Sequence, residues 1–265
     1  AQKLWNLDFV SEELTHGELS LSWMRNLYGL VSFAWKGHME NLLGYQGWHQ
    51  VVDGVSLPDE PRESIRKGVW NKVPVLLTVS RNESHGVIPH LSGSRVLDNG
   101  LETMLPKNGL QSALTSYNKT LADSGITVKD PISLKHQMIT DKLWTCGIRS
   151  LASDLDASGS ISYIGMFWKA PKYDPLGART NPSCEKGATC HASEMLYSLP
   201  QGSRGIPWWM TDELKFQKRY TEDILAFVSG SNFPWVAWDH VSSPMTFIDD
   251  TGHRVVHGYR KAQCD

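Results

Sequence analysis

The run Val73-Pro74-Val75-Leu76-Leu77-Thr78-Val79, bounded by polar residues, narrows the fold more than any other segment. A short, unbroken apolar and β-branched stretch is what a strand needs when both of its faces are covered, as in a parallel strand inside an α/β sheet. The chain turns polar at once afterwards, in Ser80-Arg81-Asn82-Glu83-Ser84-His85-Gly86. Open α/β sheets carry their chemistry on such loops at the carboxyl ends of buried strands.

Around this strand the periodicities predict mixed α/β organisation. Met24, Leu27, Tyr28, Val31 and Ala34 recur at helical steps within a Trp-, Leu- and Gly-rich stretch, residues 1–50, which reads as a helical region. Residues 51–61 are a turn-rich connection punctuated by Asp53-Gly54 and two prolines. Residues 90–130 read as irregular surface with short helices, and Ile139, Leu143, Ile148 and Leu151 predict a helix containing Cys146. Ser160 to Lys169 reads as a strand, residues 170–190 as a loop, and Met195, Leu196 and Leu199 as a short helix. Thr211 is positioned to cap a longer helix with Phe216, Tyr220, Ile224, Phe227 and Val228 on its inner face. Met245 to Ile248 and Arg254 to Tyr259 then form two strands joined at Asp249-Asp250-Thr251-Gly252.

Composition removes several function classes. Lys and Arg total 26 against 28 Asp and Glu, a formal net charge of −2, without the basic surplus that nucleic acid or an anionic membrane surface would require. No apolar run approaches the roughly 18 residues of a spanning helix. None of the 22 glycines has another glycine two, four or five positions further on. That spacing excludes the dinucleotide fingerprint, the phosphate loop and the G-x-S-x-G nucleophile turn, so no cofactor is expected. Ala1 and the lack of a basic-then-apolar leader suggest an N-terminus made by natural processing or by deliberate trimming of a longer sequence. Four cysteines and two sequons, Asn82-Glu-Ser and Asn118-Lys-Thr, point to the secretory pathway and an extracellular destination.

Glu83 on the loop after the strand is followed, 108 residues on, by His191 on a later loop. This is the acid-then-base order of the α/β-hydrolase triad, in which a carboxylate fixes the imidazole tautomer and the imidazole takes a proton from serine. His85 is a second imidazole beside the acid and reads as a loop neighbour.

From about residue 50 onwards the chain resembles the C-terminal half of the type B carboxylesterases, the cholinesterase-like branch of the α/β-hydrolases. Val51-Val52-Asp53-Gly54 with Leu57-Pro58 is similar to the family's P-V-x-D-G-x-x-L-P stretch, and Asn71 to Leu77 continues it. Ser80 to Gly86 resembles N-K-D-E-G, whose glutamate is the triad acid; Asp141 to Cys146 resembles D-x-x-F-x-C. His191-Ala192-Ser193-Glu194-Met195 is similar to H-G-x-E-L, whose histidine is the base; Asn232 to Trp235 and Cys264-Asp265 resemble the closing segments. Ser84 and Ala192 stand where the family has glycine, which predicts altered loops at both residues.

The resemblance implies residues 1–265 as the C-terminal portion of one α/β-hydrolase domain, a sheet with flanking helices completed by an N-terminal partner chain of the same precursor. That partner would carry the serine and the oxyanion glycines, with a small-molecule ester as substrate. It also implies a Cys146–Cys264 disulfide. Cys184 and Cys190, which have no counterpart in the family pattern, suit either a local disulfide beside His191 or, with His191, a metal site of unusual spacing; the disulfide is expected, and no metal. Trp208 and Trp209 are the candidate substrate contacts, and Asn118, rather than Asn82 beside the acid, is the expected glycosylation site. Two other readings are a non-catalytic cholinesterase-like adhesion or structural module and a Trp-rich carbohydrate-binding module.

Overall fold

In the computed structural model, the described residues are 52–87, 97–98, 101–102, 105, 108–172, 184, 187–198 and 206–264. The helical region expected over residues 1–50 lies outside them. In chain order the elements are α1 (Pro61–Arg66), β1 (Val75–Ser80), α2 (Glu83–Val87), α3 (Leu110–Asp123), α4 (Pro131–Thr140), a π-helical turn (Asp141–Thr145) and α5 (Cys146–Ala157). β2 (Ser162–Phe167), α6 (Met195–Ser198), α7 (Thr211–Ser229), β3 (Pro244–Asp249), β4 (Gly252–His257) and α8 (Lys261–Cys264) follow.

The strands form one sheet in the order β1-β2-β3-β4. β1 and β2 run parallel from Val75↔Ser162 to Ser80↔Phe167, β2 and β3 run parallel, and β4 returns antiparallel to β3 across the Asp249–Gly252 turn. The carboxyl ends of three strands therefore share one edge, with the loop that carries Glu83 on it. Helix α5 and Trp238 cover one face of the sheet, over Val79, Ile164, Met166, Met245 and Phe247. On the other face α6 and α7 contribute Tyr197, Phe216 and Tyr220 against Phe167, Trp235 and Ile248. Both faces of β2 are thus buried, and Gly165 is where they meet most tightly. A Cβ added there would lie 2.2 Å from the Trp235 ring and 3.1 Å from Ile248. Gly165→Ala is expected to destabilise the fold by about 1–3 kcal/mol through overpacking, read as a lower denaturant midpoint at unchanged slope.

Four expectations change on contact with the structure. β1 is not covered along its whole length: only Val79 and Ser80 are buried, because among the described residues the strand is paired on one side alone. The stretch 90–130 holds a 14-residue helix, α3, whose Leu114, Tyr117 and Leu121 are buried. Helix α7 begins at Thr211 with Met210 in the cap position and no side-chain cap, and Val228 is exposed because it falls past the buried stripe. The helix expected around Cys146 is a near-continuous run, residues 131–157, interrupted by the π turn.

That turn buries Asp141, which ion-pairs with Arg260 Nε at 2.9 Å and accepts from the Tyr117 hydroxyl. Cys146–Cys264 closes next to it with the Cα atoms 5.2 Å apart, so an ion pair and a disulfide fasten the end of the chain to the same turn. A closure spanning 118 residues contributes a few kcal/mol, about 3–5, in the chain-entropy description.

Candidate active site

The acid enters as β1 ends. Glu83 opens α2, is only 4 % exposed, and its Oε1 accepts from the backbone N–H of Ser80 at 2.5 Å. Its neighbours pin this short helix from both sides. The Asn82 backbone N–H donates to the Thr189 carbonyl at 2.9 Å, and Asn82 Oδ1 accepts from the Thr189 N–H at 3.2 Å. Ser84, fully buried, donates its backbone N–H to Thr140 Oγ1 at 3.1 Å and its hydroxyl to the His136 carbonyl at 2.9 Å. A glycine at position 84 would provide no hydroxyl for this link to α4. His85 stacks on the His136 ring at 4.1 Å, a packing contact beside the acid.

His191 arrives on the strand-like segment that Asn82 grips. Asn82 forms a parallel bridge with Cys190, and Cys190 is joined to Cys184, so the loop is closed one residue before His191. Of the two arrangements the spacing allows, these cysteines form the disulfide, with their Cα atoms 5.8 Å apart. His191 Nδ1 lies 2.5 Å from Glu83 Oε2. With the carboxylate as acceptor, the proton belongs on Nδ1 and the Nε2 lone pair is left for another donor. Among the described residues nothing hydrogen-bonds Nε2, and the side chain is 47 % exposed. The hydrogen bond to Glu83 raises the pKa of His191 above the ordinary histidine value, with burial opposing. The Trp144 ring packs beside the imidazole at 5.9 Å.

After His191, Ala192 adopts φ +64°, the left-handed conformation that glycine enters without strain. A side chain therefore stands at a left-handed position directly after His191. Two residues further on, Glu194 Oε2 accepts from the Ser80 hydroxyl at 3.1 Å, and burial pushes its carboxyl up, as does the nearby Glu83 charge. The Asn82, Ser84 and Glu194 contacts escape sequence reasoning, because each joins segments 52 to 114 residues apart.

The remaining candidates lie elsewhere. Trp208 and Trp209 stand edge to face just before α7, 80 % and 65 % exposed, and among the described residues no ring or hydrogen-bond contact joins them to Glu83 or His191. Asn118 lies on the exposed side of α3.

A buried carboxylate thus holds a half-exposed imidazole at the carboxyl edge of a parallel sheet with helices on both faces, the placement and chain order that an acid and a base have in α/β-hydrolases. The chain belongs to the carboxylesterase family, whose model matches residues 29–265. No curated protein gives a match. Among solved structures, a PNB esterase is similar in fold, with a TM-score of 0.60 at 19 % sequence identity over 86 % of this chain. The chain spans 45 % of that esterase's length.

Proposed function

We propose that this chain supplies the acid and base of a Ser-His-Glu triad in a serine carboxylic-ester hydrolase, and that the serine and oxyanion hole come from an N-terminal chain of the same precursor. The observation that carries this reading is the Glu83–His191 bond, which turns an Nε2 lone pair outward with no partner in this chain's described residues. Such an imidazole takes the proton of a serine hydroxyl as that oxygen attacks the ester carbonyl. It then returns the proton to the departing alkoxide as the acyl-enzyme forms. Water repeats the cycle, with the same nitrogen as base and then acid. An adhesion module would have no use for a buried carboxylate aligned on an exposed imidazole.

The edge of β1 supports the partner. Val75 to Thr78 are only half covered, and a parallel apolar strand left open on one side invites pairing, which a strand from the rest of the enzyme would satisfy. The exposed indoles of Trp208 and Trp209 are the proposed substrate contacts. With two disulfides the protein is proposed to be secreted and glycosylated at Asn118. At Asn82 the side-chain amide is held against Thr189, which disfavours a glycan there.

A fluorophosphonate probe tests the proposal. The full enzyme is expected to be labelled on one serine outside residues 1–265, and peptide mapping locates the adduct. Label on a serine of this chain, or an isolated chain that is stable and hydrolyses esters, would overturn it.

A further inference from the structure

At the same sheet edge lies a cluster that the acid–base pair does not use. The segments leaving β1, β2 and β3 are tied together there: the Arg81 backbone N–H donates to the Phe167 carbonyl at 3.1 Å and the Trp168 N–H to the Ile248 carbonyl at 2.9 Å. This brings the Arg81 guanidinium onto the Trp168 indole, 4.1 Å from the ring centroid. Arg254, from β4, reaches the same indole at 5.5 Å and the Phe247 ring at 4.6 Å. Trp168 and Phe247 are themselves stacked at 4.8 Å, with Tyr259 edge-on to both.

Two cations thus lie against one aromatic platform, and among the described residues the one carboxylate paired with either is Asp249, beside Arg254. Arg81 has no carboxylate or hydrogen-bond partner for its side chain among the described residues. Asp249 Oδ2 lies 3.9 Å from Arg254 Nε, too far for a hydrogen bond, and its other oxygen is occupied by the backbone and hydroxyl of Thr251. Arg260, the third guanidinium nearby, is committed to Asp141. The loss of water against the indole lowers the pKa of Arg81, and the positive charges of Arg260 and Arg254 lower it further. A guanidinium presents five N–H donors in a planar fork that matches a carboxylate, sulfate or phosphate. The indole and phenyl rings hold the cations in place, so little freedom remains to be lost when an anion binds.

We infer that Arg81 and Arg254, seated on Trp168 and Phe247, form a binding site for an oxyanion. The site recognises the charged fork-matching group itself, a carboxylate, sulfate or phosphate borne by a small molecule, and its occupation requires no ester chemistry.

Thermal unfolding of the full enzyme at constant ionic strength, titrated with sodium sulfate, sodium acetate or sodium chloride, tests this. Sulfate and acetate are expected to raise the Tm in a saturable manner while chloride does not. Arg81→Gln and Arg254→Gln should each weaken the apparent Kd for sulfate about tenfold, the loss of one charge-assisted contact. Arg81→Lys should fall between, keeping the charge without the fork. Equal responses to all three salts would reduce the effect to ionic strength and overturn the site. So would a wild type insensitive to sulfate whose Arg81→Gln variant melts lower in anion-free buffer, because that pattern means a carboxylate of the full enzyme already neutralises Arg81. If Arg81→Gln fails to fold, Arg254→Gln, at an exposed position on β4, decides alone: unchanged sulfate affinity in that variant overturns the inference.

Discussion

His191→Ala is expected to lower kcat/KM for ester hydrolysis by the full enzyme about a million-fold, since serine then has no group to take its proton. The loss should fall on kcat, with KM changed far less, because in the proposed triad the imidazole acts on the reacting atoms rather than on the bound ester. Stability should suffer little. The side chain is 47 % exposed, so its removal opens no core cavity, and the main cost is the Glu83 oxygen left without its donor, about 1–3 kcal/mol. The His85→Ala variant is the control: stacked on His136, that imidazole should be dispensable to within about tenfold in kcat. Equal damage from the two substitutions would reassign the base.

The pH dependence checks the same group independently. Because Glu83 raises the His191 pKa above the ordinary 6.5, the neutral form that can accept a proton prevails only at correspondingly higher pH. On acidification kcat/KM should therefore begin to fall above the usual histidine range; a profile flat to about pH 5 would exclude an imidazole base. Stability runs the other way. A folded-state pKa raised above the unfolded value means that the His191–Glu83 pair contributes most below the unfolded pKa, and the contribution is lost as pH rises through the folded one.

What the sequence displays and what it hides divide along contact distance. β1, β2 and the β3–β4 hairpin are legible because a strand's character is local: apolar runs, a polar boundary, and an Asp-Thr-Gly turn. Helix α3 carries the same kind of local mark, Leu110, Leu114, Tyr117 and Leu121 at helical steps, but frequent Ser, Asn and Lys residues mask it as surface loop. Partial exposure of β1 could not be read, because an apolar strand carries no mark of which neighbours are present. At the site, order along the chain brought Glu83 and His191 forward, whereas local pattern gave neither. The grip of Asn82 on Thr189, the Ser84 link to α4 and the buried Lys169–Glu213 ion pair at 2.7 Å arise only when distant segments meet. A buried lysine of that kind is tolerable because its carboxylate lies in contact, and neither residue signals the pairing alone.

The second large effect is expected from Glu83→Gln, a loss of about ten-thousandfold in kcat with the fold intact, smaller than that of His191→Ala. The size of the loss follows from the two donors that this carboxylate serves. Oε1 accepts from the Ser80 N–H and Oε2 faces His191 Nδ1, so an ionised glutamate accepts on both sides. Glutamine has one acceptor and one NH2 group. If its oxygen stays with Ser80, the NH2 faces Nδ1, and only an imidazole protonated on Nε2 can accept it. That tautomer points a proton, not a lone pair, at serine. If the amide is reversed, the NH2 abuts the Ser80 N–H inside a buried pocket, an unsatisfied pair of donors that works against this orientation. Either way the productive tautomer is disfavoured, and the imidazolium formed during catalysis has lost its counter-charge. Since the bond to Glu83 is the largest cause of the raised His191 pKa, the acid limb of kcat/KM should also move to lower pH in the variant. A structural defect alone would lower activity without moving that limb, so an unchanged midpoint would remove Glu83 from the role. If the two residues act as one unit, the double variant Glu83→Gln/His191→Ala should be no slower than His191→Ala alone, because orienting an absent imidazole contributes nothing.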